Sequence, residues 1–203
     1  RLSIGWVAPE DLYKTEREMP EDQFTWLSDL MDKARLSGQK TWKHVATSLR
    51  GSLMGDPCER SMSLSLLGYS EIFPARTLRI FETGNNIETS IINEFRTAGI
   101  LVSEQEELII SKDPPIRGRS DVLIKDPTTK ATLLGELKSI REEYWKKLPE
   151  PVADPKENQK NLIDGGYIGY VTQWQVYSHA LYGLKGFLLF DDRYAFRQVN
   201  YRV

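Results

Sequence analysis

Charged side chains lie inside two short apolar strands in the middle of this chain. The segment from Gly118 to Ile140 reads GRSDVLIKDPTTKATLLGELKSI, which is typical of two strands joined by a polar turn. The first strand carries Asp121 and the second carries Glu136 and Lys138, although charges are expensive to bury. Because alternate strand residues share a face, Glu136 and Lys138 point the same way and Leu137 points to the opposite face. We expect Asp121 to lie beside the two charged residues.

These charged groups have the chemistry of a metal site. Carboxylates of Asp121 and Glu136, with the backbone carbonyl of Leu137, are hard oxygen ligands that suit Mg²⁺ or Mn²⁺. Lys138 would then stand beside a metal-bound water, where it could orient that water, help to deprotonate it, or stabilise the charged transition state. The alternative is a salt-bridge cluster on a solvated sheet face. The apolar residues on both sides of the charges, in ATLLGELKSI, favour the metal site.

Composition restricts the possible partners and the compartment. The chain has 203 residues, 40% of them hydrophobic, and a net charge of −2, so a single globular domain is expected and a large basic surface is not. Cys58 is the single cysteine, which excludes a disulfide within the chain and favours a reducing, cytoplasmic compartment. No apolar run approaches the length of a membrane span, so we expect no membrane contact. Since the sequence begins at Arg1, we expect it to be part of a longer protein.

Periodicity predicts an α/β (α+β) fold, with a small mixed central sheet flanked by helices and a helical N-terminal addition. Residues 1–70 are predicted to form three helices packed on a core of residues 71–203, within one compact domain. The second of these helices spans residues 41–57. A long helix from Arg76 to Ala98 ends at Gly99, and about three strands follow up to Ile140. After a short helix come a long loop over residues 149–169, another helix and a C-terminal strand pair.

Two motifs on the predicted strands resemble those of a known superfamily. Gly118-Arg119-Ser120-Asp121 is similar to the G-x-x-D strand of the PD-(D/E)XK nucleases, and Glu136-Leu137-Lys138 is similar to their E-x-K strand. Ser120 stands where the superfamily name has Pro, at a position that varies among relatives. The branch with RecB-type nuclease domains, lambda-type exonucleases and the CRISPR-associated adaptation nuclease is the most similar. This resemblance implies a restriction-endonuclease-like core.

Two further elements of that branch occur in the expected order, and the resemblance spans roughly residues 58–182. RTLRIFETGNNIETSI resembles a helix that supplies an extra metal ligand, which would be Glu88 here. QWQVY resembles a Q-x-x-x-Y motif, in which Gln173 and Tyr177 would border the active site and position a DNA strand. The alternatives are a buried pair between Glu88 and an arginine such as Arg119, and an ordinary amphipathic helix with a surface glutamine.

Basic and aromatic residues surround the predicted site in the sequence. Lysine and arginine contact phosphates, and aromatic rings stack on unpaired bases. The residues predicted to bind DNA are Arg117, Arg119, Arg141, Tyr144, Lys146 and Lys147. A solvated helix and loop would explain the same residues.

The resemblance implies a Mg²⁺- or Mn²⁺-dependent DNA exonuclease that acts in phage or mobile-element recombination or repair, in a bacterial or phage-infected cell. Linear or single-stranded DNA and a recombination or replication protein are the implied partners. The alternatives are a CRISPR-adaptation nuclease, an inactive DNA-binding or assembly module on the same fold, and a structural domain with a surface ion cluster. Some relatives hold an iron–sulfur cluster with four cysteines. We expect no iron–sulfur cluster in this chain, and we expect Cys58 to be a small buried hydrophobic residue.

Overall fold

The computed structural model of the chain describes residues 25–38, 48–56, 58–67, 69, 72–192 and 197–203. The chain divides into two compact units, Arg1–Lys40 and Thr41–Val203. The described residues form a mixed α/β structure with six α-helices, a three-stranded sheet and a five-stranded sheet. None of their helices is both long enough and apolar enough to span a membrane.

The α-helices, in chain order, are α1 (Thr25–Ser37), α2 (Glu59–Leu66), α3 (Ala75–Thr97), α4 (Glu142–Trp145), α5 (Pro155–Asp164) and α6 (Ile168–Ala180). The strands are β1 (Leu49–Arg50), β2 (Leu101–Glu104), β3 (Glu107–Lys112), β4 (Pro115–Arg119), β5 (Val122–Lys125), β6 (Thr132–Ile140), β7 (Gly186–Asp192) and β8 (Gln198–Arg202). A single 3₁₀ turn, Gly51–Leu53, follows β1.

Helix α1 is the described part of the smaller unit, and it confirms the first predicted helix from Thr25 onward. Its apolar side chains recur at helical spacing, but Trp26, Leu27, Leu30 and Met31 are all exposed. Their spacing therefore predicted the helix correctly without predicting burial.

The five-stranded sheet has the order β2-β5-β6-β7-β8, with β6 parallel to β7 and every other pair antiparallel. Parallel neighbours need a long crossover, and here the crossover contains α4, α5 and α6. The antiparallel pairing of β7 with β8 confirms the predicted C-terminal strand pair. Strand β6 lies in the middle of this sheet, so the charged residues on it are central rather than at an edge.

Apolar clusters cover both faces of β6. On one face Leu134 and Ile140 belong to the same cluster as Trp174 and Tyr177 of α6. On the other face Leu137 packs in a second cluster, together with side chains of α3. Since α3 and α6 each supply a charged or polar motif residue, this sandwich brings the predicted site elements toward β6.

Helix α3 confirms the prediction of one long helix that ends before Gly99. Gly99 has a positive φ of 68°, a conformation that glycine adopts without a steric penalty and that commonly ends helices. Ile91 and Ile92 of its apolar stripe are buried, whereas Phe81 is exposed. The C-terminal half of α3 therefore anchors the helix to the sheet.

The three-stranded sheet corrects the prediction of a helix over residues 41–57. In the described part of that segment, Leu49 pairs in parallel with Ile116 of β4, and the 3₁₀ turn follows. Gly51 lies so close to Tyr177 that a Cβ at that position would be 2.6 Å from the ring. Long-range packing thus overrides the local helical pattern. Because this sheet contains β3 and β4, the number of strands between residues 100 and 140 is five rather than the predicted three or so.

Helix α5 corrects the prediction of a long loop over residues 149–169. Asp154 caps the helix by accepting a hydrogen bond from the Lys156 backbone N–H at 2.9 Å, and Pro155 occupies the first position. This pairing of an N-cap aspartate with a first-turn proline starts many helices. Buried Asn158 then joins α5 to β8 by donating from Nδ2 to the Arg202 carbonyl oxygen at 3.1 Å. The abundance of polar residues concealed this start signal.

Candidate functional site

Two carboxylates meet where β5 begins beside the middle of β6. The antiparallel register pairs Val122 with Gly135, so continuing it by one residue sets Asp121 opposite Glu136. Instead of extending the ladder, Asp121 accepts a hydrogen bond through Oδ2 from the Leu137 backbone N–H at 2.7 Å. The carboxylate of Asp121 therefore takes the place of a backbone acceptor for Leu137. The register confirms the prediction that Asp121 lies beside Glu136.

Glu136 is fully buried, and one of its two oxygens is crowded while the other is not. Oε1 accepts hydrogen bonds from Nζ of Lys138 and from Nε2 of Gln173, each at 2.5 Å. Oε2 has no hydrogen-bond partner within the described residues. Buried polar atoms are almost always paired. Asp121 raises the pKa of Glu136 through a side-chain hydrogen bond as well as through its charge, so a proton or a cation shared by the two carboxylates would satisfy this oxygen.

Burial dominates the protonation of this cluster. Desolvation raises the pKa of Glu136 by more than the nearby Lys138 ammonium lowers it, and the charge of Asp121 raises it further. For Lys138, burial favours the neutral amine, but the charges of Glu136 and Asp121 outweigh burial and raise its pKa above the ordinary value. Lys138 therefore keeps its proton and carries a positive charge into the site.

Helix α6 brings the two residues of the Q-x-x-x-Y pattern to the carboxylates. Gln173 is buried, with 8% of its surface exposed, so the alternative of a surface glutamine is wrong. The Tyr177 hydroxyl accepts a hydrogen bond from Nε2 of Gln173 at 3.4 Å, and the nearby backbone of Arg119 lowers the pKa of this hydroxyl against the larger effect of burial, which raises it. A Cβ at Gly118 would overlap the Tyr177 ring. The glycine of the G-x-x-D pattern thus makes room for the tyrosine of the other motif.

Glu88 approaches the carboxylate pair from α3. Burial and the charge of Asp121 raise its pKa, while Gln105, Lys138 and Arg119 lower it. Oε1 of Glu88 lies 3.5 Å from Nε2 of Gln105, a residue that sequence analysis overlooked. Among the described residues Gln105 is its hydrogen-bond partner, and Arg119 acts on it through charge alone. Glu88 therefore lies toward the carboxylates of the site, and the alternative of a buried ion pair between Glu88 and Arg119 is wrong for the described residues.

The donor atoms present fit a hard divalent cation in their chemistry. The Leu137 N–H points toward Asp121, and its carbonyl points the same way because both groups of one strand residue face one neighbour. With Asp121 and Oε2 of Glu136, this carbonyl makes an all-oxygen set of the kind that Mg²⁺ and Mn²⁺ prefer. Within the part of the chain that is described, no three His, Cys, Asp or Glu side chains form a ready-made metal cluster. The carboxylate of Glu88 lies near Asp121 and is a further oxygen donor beside this set.

A cavity of about 310 Å³ opens beside these groups, between α3 and β6. Glu88, Lys138 and Ser139 line it. Gly84 permits the close approach of α3 to β6, because a Cβ there would lie 3.2 Å from Oγ of Ser139. Ser139 was not predicted as a site residue, although its position directly after the E-x-K pattern could have indicated it.

The predicted DNA-binding residues fall into two groups. Arg117 and Arg119 are exposed on β4. Arg141, Tyr144, Lys146 and Lys147 lie in and beside α4. In this second group Arg141 and Lys146 form exposed ion pairs with Glu143 and Glu142, both at 2.9 Å. Exposed pairs of this kind contribute little energy, so they do not prevent either cation from binding a phosphate.

Cys58 corrects the prediction of a small buried hydrophobic residue, because its side chain is exposed. Its backbone N–H donates to Oδ1 of Asp56 at 2.8 Å, and α2 begins at the next residue. The position at a helix start directs the thiol outward.

Comparisons with known proteins do not assign the chain. No protein-family model matches it, and no curated protein is similar to it. The functional argument therefore depends on the residues and their geometry.

Proposed function

We propose that this protein is a metal-dependent DNA nuclease of the PD-(D/E)XK type that hydrolyses phosphodiester bonds at DNA ends. The observation that carries the proposal is the pairing of Asp121 with Glu136 around a buried carboxylate oxygen that has no hydrogen-bond partner in the described residues. A buried carboxylate oxygen without a partner is costly unless a proton or a cation joins it. Burial raises the pKa of Glu136 and so favours the proton, and a bound divalent cation would take the place of that proton. The ammonium of Lys138 at the same carboxylate supplies the third group that the chemistry needs.

Each residue has a definite part in the proposed reaction. Asp121, Glu136 and the Leu137 carbonyl would hold Mg²⁺ or Mn²⁺, with Glu88 as a further ligand, either directly or through water. Such an ion, when bound, polarises the phosphate and lowers the pKa of a coordinated water. Lys138 orients the attacking water and stabilises the negative charge that develops on the phosphate oxygens.

Gln173 and Tyr177 act as positioning residues in this proposal. Gln173 holds Oε1 of Glu136 and thereby turns Oε2 toward the ligand position. Tyr177 contacts Gln173 through its hydroxyl and Gly118 of β4 through its ring, so it fixes the position of Gln173 relative to β4, the strand that carries the exposed arginines. Displacing either residue by a fraction of an ångström would misalign the reacting groups.

The proposed biological setting is recombination or repair of phage or mobile-element DNA in the cytoplasm of a bacterial or phage-infected cell, with a recombination or replication protein as partner. A second candidate is a DNA-binding module without catalysis on the same fold. The observation that favours it is the ion pair between Lys138 and Glu136, which occupies Oε1 of that carboxylate. Cleavage separates the two candidates directly.

The test is a cleavage time course on end-labelled linear DNA and covalently closed circular DNA, with Mg²⁺, Mn²⁺ or EDTA. We expect the wild type to degrade linear DNA only with metal, and Lys138→Ala to lose this activity. Lys160→Ala is the matched control, because Lys160 pairs with Asp164 in an exposed i,i+4 ion pair. Cutting of the circle would make the protein an endonuclease with the same site. A folded wild type that cleaves neither substrate in both metals would favour the DNA-binding module.

A further inference from the structure

A second cavity, of about 350 Å³, lies next to the cavity of the candidate site and differs from it in charge. Ile80 and Ser139 line both cavities, so the two spaces adjoin. The site cavity contains the carboxylate of Glu88, whereas the described residues around the second cavity include Arg76 and Arg141 and no acid. The second cavity is therefore suited to an anionic ligand.

The two cavities follow one line along α3. Arg76, Ile80, Gly84 and Glu88 recur every four residues, so they form one row of neighbouring side chains that winds slowly around the helix. Twelve helical residues separate the two end positions by roughly 18 Å along the axis. On the facing side the chain runs from Lys138 through β6 toward α4, in the same order as the cavities. A strand bound at the candidate site would reach the second cavity within a few nucleotides.

The second cavity combines positive charge with a partly exposed aromatic ring. Among the described residues no acidic side chain pairs with Arg76, and the only pair of Arg141 there is the exposed one with Glu143. Tyr144 keeps 46% of its surface exposed. Its ring centre is 5.4 Å from the guanidinium carbon of Arg141 and 5.8 Å from Nζ of Lys147. Both cations lie over the ring, so a base that stacks on the exposed part of Tyr144 would be next to groups that attract its phosphate.

We propose that this cavity binds one unpaired nucleotide of single-stranded DNA, with its phosphate on Arg76 and Arg141 and its base stacked on Tyr144. The proposal rests on the proposed nuclease function, since it assigns a substrate subsite next to the same carboxylates. The volume lies at the lower end of the about 300–1,000 Å³ found for small-ligand pockets, which suits one nucleotide. A base inside a duplex has both faces stacked, so only an unpaired base offers a face to Tyr144. The enzyme should therefore prefer single-stranded ends.

The test measures binding without cleavage. Fluorescence anisotropy in EDTA would compare a labelled single-stranded oligonucleotide with a blunt duplex of the same sequence. We expect the wild type to bind the single strand more tightly. Arg76→Ala and Tyr144→Ala should each weaken single-strand binding on the order of tenfold, as expected for the loss of one phosphate or stacking contact. Tyr144→Phe should retain binding, because it keeps the ring.

Arg96→Ala is the matched control on the same helix. Arg96 is exposed near the C-terminal end of α3 and pairs with Glu104 at 2.8 Å, away from both cavities. Circular dichroism would verify that every variant is folded. Equal losses of affinity in Arg76→Ala and Arg96→Ala would indicate non-specific charge effects and overturn the proposal. The proposal would also fail if Arg76→Ala and Tyr144→Ala bound the single strand as tightly as the wild type does, or if the wild type bound the duplex more tightly than the single strand.

The outcomes also separate this inference from the nuclease proposal. Tight, Tyr144-dependent binding without cleavage in Mg²⁺ or Mn²⁺ would refute the nuclease and leave the nucleotide subsite standing. Cleavage that depends on Lys138 but is indifferent to Arg76 and Tyr144 would refute the subsite and leave the nuclease standing. A wild type that neither binds nor cleaves DNA would overturn both.

Discussion

The two faces of β6 are buried by helices in unlike ways. On the α3 face, Leu137 packs with Ile91, Ile92 and other apolar side chains, and Glu88 and Ser139 line the cavity beside this contact. On the α6 face, Leu134 and Ile140 are also buried in an apolar cluster, but Glu136 and Lys138 stand between them. One strand thus buries mainly apolar residues on its α3 side and the charged residues Glu136 and Lys138 on its α6 side.

The difference shows how a strand can serve stability and chemistry together. Period-2 alternation places Glu136 and Lys138 on one face of β6 and Leu137 on the other, because neighbouring residues point to opposite faces. The α3 face is stabilised by burial of apolar surface, which is insensitive to exact placement of charge. The α6 face holds a buried carboxylate whose cost is met by Lys138 and Gln173, so it gains reactivity at the expense of stability.

The largest expected effect comes from the charged face. Glu136→Gln keeps the size of the side chain but removes the anionic oxygens, so cleavage should fall by roughly 10²–10⁴-fold. Far-ultraviolet circular dichroism should remain that of the wild type. The measurement is the initial rate on end-labelled linear DNA in Mn²⁺. A Glu136→Gln protein that cuts at the wild-type rate would remove this carboxylate from the mechanism.

The apolar face should respond in the opposite way. Ile92 is 3% exposed in the hydrophobic cluster of α3, so Ile92→Ala should lower the free energy of unfolding by about 2–5 kcal/mol. Urea denaturation followed by tryptophan fluorescence measures the change. The rate of cleavage per folded molecule should remain close to that of the wild type. If Ile92→Ala and Glu136→Gln lowered activity and stability in the same proportion, the separation of the two faces would be wrong.

A smaller effect is expected where the charged face depends on close packing. Gly118→Ala would place a Cβ in the space of the Tyr177 ring, so the ring must shift. Overpacking of this kind costs about 1–3 kcal/mol. Because Tyr177 adjoins Gln173, cleavage should also decrease. Tyr177→Phe keeps the ring in place and is the companion variant. Thermal unfolding and initial rates of both proteins would show whether the ring position or the hydroxyl matters more, and an unchanged Gly118→Ala would refute the packing argument.

Local patterns were sufficient for most of the elements. Helical spacing predicted α3 and its end before Gly99, and alternation predicted the strand that carries Glu136. These predictions succeeded because helix and strand periods are properties of neighbouring residues. Asp121 was predicted on a strand but lies in the bend between β4 and β5, one residue before β5 begins. The same reasoning failed for Leu49–Arg50, where pairing with β4 decides the conformation, and for α5, where a capping residue was overlooked in a polar segment.

Sequence alone determined which charged groups share a face of β6 and that Leu137 lies on the other. It could not determine that Glu136 is fully buried, that Gln173 reaches it from α6, or that Oε2 is left without a hydrogen-bond partner among the described residues. Nor could it bring Arg76 to a cavity beside Ser139. Those features depend on contacts between segments far apart in the chain, which form only when α3 and α6 pack against the sheet. The side-chain alternation is local physics, whereas burial, and with it the pKa of Glu136 and the chemistry of the site, is a property of the assembled fold.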